Sequence, residues 1–342
     1  MEQPDFNGDI DAPGPITGEA GQVNIPPKYS PPEEKQQVWL KSAISLAAYL
    51  VLGFYIFPSY KILLIITVIV LIHEMGHFIA MKAYHYNELG IFFIPLLGAY
   101  VSGSKREVSQ LQSAIILLAG PLPGILIGAA CYLADRYYPG ILVLDISLDR
   151  VALFFILLNL INLFPIYPLD GGQLLNRVFL DEESTWSKVF VFISVAFMAW
   201  FAWSMYRGSG NSLYFILLFF PVMILLRTMG DKKLGSIEKK IEEAGINADI
   251  EYGDLPDADY WKIRNILIAE HPAFKEEQSS PPYTFSRKED KIMAVVQSLL
   301  HRHLIQDVSL AGKLFIFLVW AAGLATPWLL DMDLSPFTRH RF

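Results

Sequence analysis

Seven apolar runs, over residues 39–57, 62–82, 113–134, 148–164, 188–206, 213–226 and 313–330, limit what this chain can fold into. A helix needs about 20 such residues to cross the hydrocarbon of a bilayer, and most of the runs approach that length. The runs at 148–164 and 213–226 are short. Trp39, Trp186, Trp203 and Trp328 stand near run ends, where amphipathic rings settle at the membrane–water boundary. Composition agrees: 53% of the 342 residues are hydrophobic and 18% are charged, against about 25% in soluble domains. The net charge of −7 gives no basic footprint for nucleic acid. Cys131 is the single cysteine; it cannot close an internal disulfide and reads as a small buried apolar residue. The expected fold class is an all-α polytopic membrane protein with about six to seven transmembrane helices.

Outside the apolar runs the chain changes character. Residues 1–36 are polar, acidic and rich in Pro and Gly, with Pro26-Pro27 and Pro31-Pro32, and lack the basic and apolar regions of a signal peptide. They read as a disordered tail, with a role as a Pro-rich ligand as the lesser alternative. Residues 229–311 form a polar insertion with helical candidates at 236–244, 260–269 and 288–303, broken by Pro281-Pro282. The expected organisation is therefore a tail (1–36), a transmembrane core (37–228), a soluble helical insertion of open role (229–311), and a last transmembrane helix with a short tail (312–342). With the N-terminal tail in the cytoplasm, Lys105, Arg106, Arg177 and the Lys-rich stretch 227–313 all fall inside. The outer loops then hold only Lys61, Arg136 and Arg207, in line with the positive-inside rule.

Two ionisable clusters lie where lipid makes charge expensive, so each is a functional hypothesis. His73-Glu74-Met75-Gly76-His77 sits at the inner end of the second run. Histidines four apart share one helix face and can share one metal ion, and the glutamate between them is the usual general base of a zinc hydrolase. Two imidazoles and a water leave tetrahedral zinc one ligand short. The fourth run ends on the same side in Asn162-Leu163-Phe164-Pro165-Ile166-Tyr167-Pro168-Leu169-Asp170-Gly171-Gly172. There Asp170 is the candidate third ligand. Pro165 and Pro168 unwind the chain, and Gly171-Gly172 supply permissive backbone for the turn toward the metal.

These motifs together, in this order and on one side, resemble the site-2 protease family of intramembrane zinc metalloproteases. The resemblance covers about residues 60–180. Residues 92–103 are similar to the family's membrane-associated β-hairpin. Ala119-Gly120-Pro121-Leu122-Pro123-Gly124 resembles its small-residue span; many members carry Asn there, and with Gly124 in its place that stretch takes no catalytic role. The resemblance implies one Zn2+ per chain held by His73, His77 and Asp170, with water in the fourth position and Glu74 as the base. It implies substrates that are membrane proteins with a transmembrane segment, unwound locally and paired with the hairpin. Asn162 matches the family's asparagine, a substrate or oxyanion contact; Asn159, three residues earlier, is a weaker candidate. The protein is then an integral, multi-pass membrane enzyme in contact with the lipid bilayer (in the cell membrane if bacterial), its site near the cytoplasmic face.

Blander readings compete. His73 and His77 as interior histidines would need no Glu74 and no Asp170. Asp170-Gly171 as an ordinary turn loses its appeal once HEMGH is present, whereas Asn162 could equally bind a neighbouring helix. His301 and His303 are two apart, share no helix face and read as surface residues. A catalytically silent relative that binds or retains transmembrane segments is the rival from another class. A metal transporter would want ionisable groups on several facing spans.

Overall fold

The computed structural model describes residues 25–30, 38–57, 59–95, 98–105, 108–181, 184–278, 284–300 and 304–332. Pro31-Pro32, Arg106, Pro281-Pro282, His301 and His303 lie outside them. The described chain is mostly helical, and five helices are long and apolar enough to cross a membrane: 38–56, 60–83, 110–137, 185–209 and 310–329. The chain is a multi-pass membrane protein. Its contacts divide it into two compact units, one of residues 32–238 with 300–342 and one of 1–31 with 239–299.

In the larger unit, α1 (Val38–Ile56) and α2 (Tyr60–Ala83) are followed by an antiparallel hairpin, β1 (Asn87–Ile94) with β2 (Gly98–Ser104). The hairpin seats against α1, where Phe93 N–H donates to Ser45 Oγ at 3.1 Å and the Tyr49 and Phe93 rings lie 5.7 Å apart. It is longer than the 92–103 expected, because Asn87 already pairs with Ser104. The run expected at 113–134 begins earlier and is two helices, α3 (Gln110–Ala119) and α4 (Pro121–Tyr137), hinged at Gly120. Proline at the first position of a helix has no N–H to waste, so the break costs little. A short β3–β4 turn (Leu142–Val143, Ile146–Ser147) leads into α5 (Leu148–Leu163).

Phe164 then leaves the helical region at φ −62°, ψ 145°, and the chain unwinds to 169 as Pro165 and Pro168 require. Helix α6 (Asp170–Leu174) continues as a π-helical turn, Leu175–Leu180. Helix α7 (Thr185–Ser209) and a 3-10 segment (Ser212–Leu218) run into α8 (Phe219–Glu243). The last helix, α11 (Leu310–Leu329), packs on the core through Trp320, whose indole N–H donates to Leu163 O at 2.8 Å. Ile125, Ile156, Leu163 and Leu174 are fully or nearly fully buried in that core.

The smaller unit holds α9 (Asp257–Glu270) and α10 (Glu289–Leu299), shorter than the helix expected over 288–303. Arg264 on α9 reaches Glu289 on α10 through Nε at 2.7 Å and Nη2 at 3.0 Å, and Tyr260 OH donates to the same carboxylate at 2.6 Å. Residues 25–30, expected within a disordered tail, are instead packed on this unit: Trp261 Nε1–H donates to Pro26 O at 2.8 Å.

Candidate metal centre

Helix α2 delivers His73, Glu74 and His77 to one end of the larger unit, all three buried. Their helix can come so close to α3 because residue 76 is glycine: a Cβ there would run into the carbonyl of Ala119. Gly120 plays the same part for the metal face, since a Cβ on it would strike the His77 imidazole. The break between α3 and α4 thus leaves a slot for a ring.

Asp170 enters from the unwound end of α5. Its Oδ2 lies 3.1 Å from His73 Nε2 and 3.3 Å from His77 Nε2, and the two Nε2 atoms are 3.1 Å apart. Gly171 and Gly172 were expected to serve through backbone freedom. Neither has a positive φ; they are needed because side chains there would strike the backbone at Leu163 and at Ile166. The correction is one of cause: close approach, not left-handed conformation, fixes these glycines.

The other imidazole nitrogens define the proton positions. His77 Nδ1 lies 2.8 Å from Ile116 O and His73 Nδ1 lies 2.8 Å from Asn159 Oδ1, while Asn159 Nδ2 donates to Phe155 O at 2.7 Å. Both partners accept, so each ring carries a proton on Nδ1, and in the neutral ring Nε2 turns a bare lone pair inward. Two lone pairs and a carboxylate oxygen then face one another, and Asp170 Oδ2 is buried with no hydrogen-bond donor. Such a triangle repels itself unless a cation sits in it. The set fits zinc: bond lengths of about 2.0–2.1 Å set tetrahedral ligand atoms roughly 3.3 Å apart, close to the spacings found. Among the described residues this is the group of three His, Cys, Asp or Glu that could hold a metal ion.

Asn159 is the residue that sequence reasoning ranked too low. It is buried, accepts from a ring facing the metal position, and is given room by Gly124, where a Cβ would collide with its amide. Gly124 therefore does contribute to the site, by its size. Asn162 is half-buried and donates back to Leu158 O at 3.1 Å within its own helix. Glu74 sits in reach of the Val101 backbone amide on β2, which ties the hairpin to the site.

Fold and site together define a multi-pass membrane protein with a buried centre of two histidines and one carboxylate. Residues 61–145 match the model of peptidase family M50. A zinc metalloprotease of Methanocaldococcus jannaschii is 28% identical over 121 residues, 34% of this chain and 33% of that protein. Stage IV sporulation protein FB of Bacillus subtilis is 27% identical over 122 residues, 36% of this chain and 41% of that protein. The chain thus spans about a third to two fifths of the length of these relatives. A solved site-2 protease from Methanocaldococcus jannaschii is similar at a TM-score of 0.41 and 20% identity, over 54% of this chain and 87% of that one. Over residues 61–145 the chain is thus similar to peptidase family M50, and its two imidazoles and one carboxylate are a donor set that fits zinc.

Proposed function

We propose that this protein is an intramembrane zinc metalloprotease that hydrolyses peptide bonds within or near the transmembrane segments of membrane-protein substrates, as in regulated intramembrane proteolysis. The observation that carries the reading is Glu74, buried beside a triangle of metal-ligand atoms and between its two histidines. A silent binder of transmembrane segments has no use for a base at that position.

His73, His77 and Asp170 would hold one zinc ion, which when bound lowers the pKa of water from 15.7 to about 7. Glu74 would take the water proton and return it to the leaving amine. The Nδ1–H tautomers, held by Ile116 O and Asn159, keep both Nε2 atoms available as ligands. Asn162 is assigned a contact to the substrate backbone or the developing oxyanion, through the Nδ2 hydrogen or the Oδ1 not used by its bond to Leu158 O. The positive-inside bias of Lys105 and Arg177 favours a site near the cytoplasmic face.

The test uses detergent-purified protein, its zinc content, and cleavage of single-span reporter proteins. Glu74→Gln should keep zinc and lose at least about a hundredfold in cleavage, in keeping with the scale of general-base catalysis. Asp170→Ala should lower zinc occupancy. Unchanged cleavage in the first variant removes Glu74 as the base; full zinc in the second removes Asp170 as a ligand.

A further inference from the structure

Residues 25–30, Ile-Pro-Pro-Lys-Tyr-Ser, lie extended along the 239–299 unit and are read nearly residue by residue. Trp261 holds Pro26 O. Lys28 is gripped at both ends: its backbone N–H donates to Asp257 Oδ1 at 2.8 Å, and its ammonium donates to Gly253 O at 2.5 Å and Leu255 O at 2.7 Å while lying 5.7 Å from the Tyr252 ring centre. Tyr29 is read three ways. Its hydroxyl donates to Asp290 Oδ1 at 2.7 Å, its carbonyl accepts from Tyr252 OH at 2.6 Å, and its ring packs edge-on against Phe285 at 5.2 Å.

The pattern is one of recognition rather than of core filling. The contacts are polar and directional, and Tyr29 and Lys28 reach side chains more than 220 residues away in sequence. Each proline fixes its own φ and restricts its predecessor, so Ile25-Pro26-Pro27 is extended before it docks and loses little entropy on doing so. The floor is aromatic, with Trp261 and Phe285 stacked at 5.4 Å and 15°, as in grooves that take proline-rich segments. An ammonium capped by two carbonyls and an aromatic face selects Lys at the fourth position.

We infer that the 239–299 unit is a peptide-recognition module for an extended Pro-Pro-Lys-Tyr segment, that residues 25–30 are its ligand in cis, and that the same sequence presented in trans competes for the groove. Because segment and groove belong to one chain, docking in cis is intramolecular, so the groove is filled until the segment's own contacts are weakened.

The experiment uses the full chain in detergent and a fluorescent peptide of residues 25–30 with native flanks, read by anisotropy. Wild-type protein should bind the peptide weakly. The full-length Lys28→Glu chain, its own segment disabled, should bind the wild-type peptide at least about tenfold more tightly, and should not bind a Lys28→Glu peptide. Adding Asp290→Ala to that chain should weaken the wild-type peptide and leave a Tyr29→Phe peptide unaffected. A chain lacking residues 1–31 serves as a second open form. Equal binding by wild-type and Lys28→Glu chains, or no binding by Lys28→Glu, overturns the assignment. So does a wild-type dimer that Lys28→Glu turns into monomer, which would make the occupant a second copy.

Discussion

At the scale of single residues, Asn159 separates what a sequence displays from what it conceals. His73, Glu74 and His77 are legible because one helical period brings them together, and Asp170 because prolines and glycines mark the break that carries it. Asn159 is an amide on an apolar helix, equally explicable as a helix-to-helix bond, and its partner His73 is 86 residues away. Only coordinates show that its Oδ1 fixes the His73 tautomer. Partners of this kind are commonly worth ten- to a hundredfold in metal affinity or activity. Asn159→Leu should therefore weaken zinc retention by about that factor, measured by competition with a chromogenic chelator. Asn162→Ala, away from the imidazole protons, should keep its zinc and lose cleavage. Weaker zinc in both variants alike would remove the distinction drawn between them.

Among the elements, the apolar runs announced the long helices but not their junctions. Gly120-Pro121 lies inside one hydrophobic stretch, and hydropathy is blind to a hinge that keeps both halves apolar. The reason for the hinge is local, a glycine beside the His77 ring. Gly120→Ala should leave the protein folded by circular dichroism and lower its zinc content, since His77 must turn away. In the smaller unit, α9 and α10 are joined by a buried ion pair that no periodicity announces. Burial would push Glu289 up, but hydrogen bonds from Arg264, Tyr260 and the Ser286 N–H hold its carboxyl below the ordinary glutamate range. A group with a depressed folded pKa contributes stability that is present above its unfolded pKa and is lost as pH falls through the folded one. The α9–α10 unit should then open progressively as pH drops through and below the ordinary glutamate range. Glu289→Gln should open more easily at neutral pH, by roughly 3 kcal/mol for a buried charge left unpaired, and should show a shallower acid slope. Hydrogen exchange of the α9 and α10 amides, corrected for intrinsic rate, reads both effects; an unchanged acid slope would exclude Glu289 as its source.

For the whole molecule, the contact between residues 25–30 and the 239–299 unit fixes a parity. The two segments touch, so the chain between them crosses the membrane an even number of times. Four of the long apolar stretches lie in that interval: α1, α2, α3 with α4, and α7. Helix α5 is shorter, but it runs antiparallel to α4, with Gly124 facing Asn159 and Gly128 facing Ile156. At 1.5 Å per residue it covers about 24 Å, most of the hydrocarbon thickness. If α5 crosses, four becomes five, and the short apolar helix Tyr214–Leu226 must cross as well to restore an even count. With α11 the total would then be seven, the upper end of what the runs suggested, reached by a constraint that hydropathy does not contain. The expected outcome is specific. On a Cys131→Ala background, single cysteines at Ser30 and Lys275 should react with an impermeant maleimide from one side of sealed vesicles, and cysteines at Gly140 and Asn211 from the other. Asn211 labelling from the same side as Lys275 would mean that 214–226 does not cross. With Ser30 and Lys275 on one side, that outcome would mean that α5 does not cross either and that four spans precede the insertion; Ser30 and Lys275 labelling from opposite sides would exclude the docking of residues 25–30 in cis.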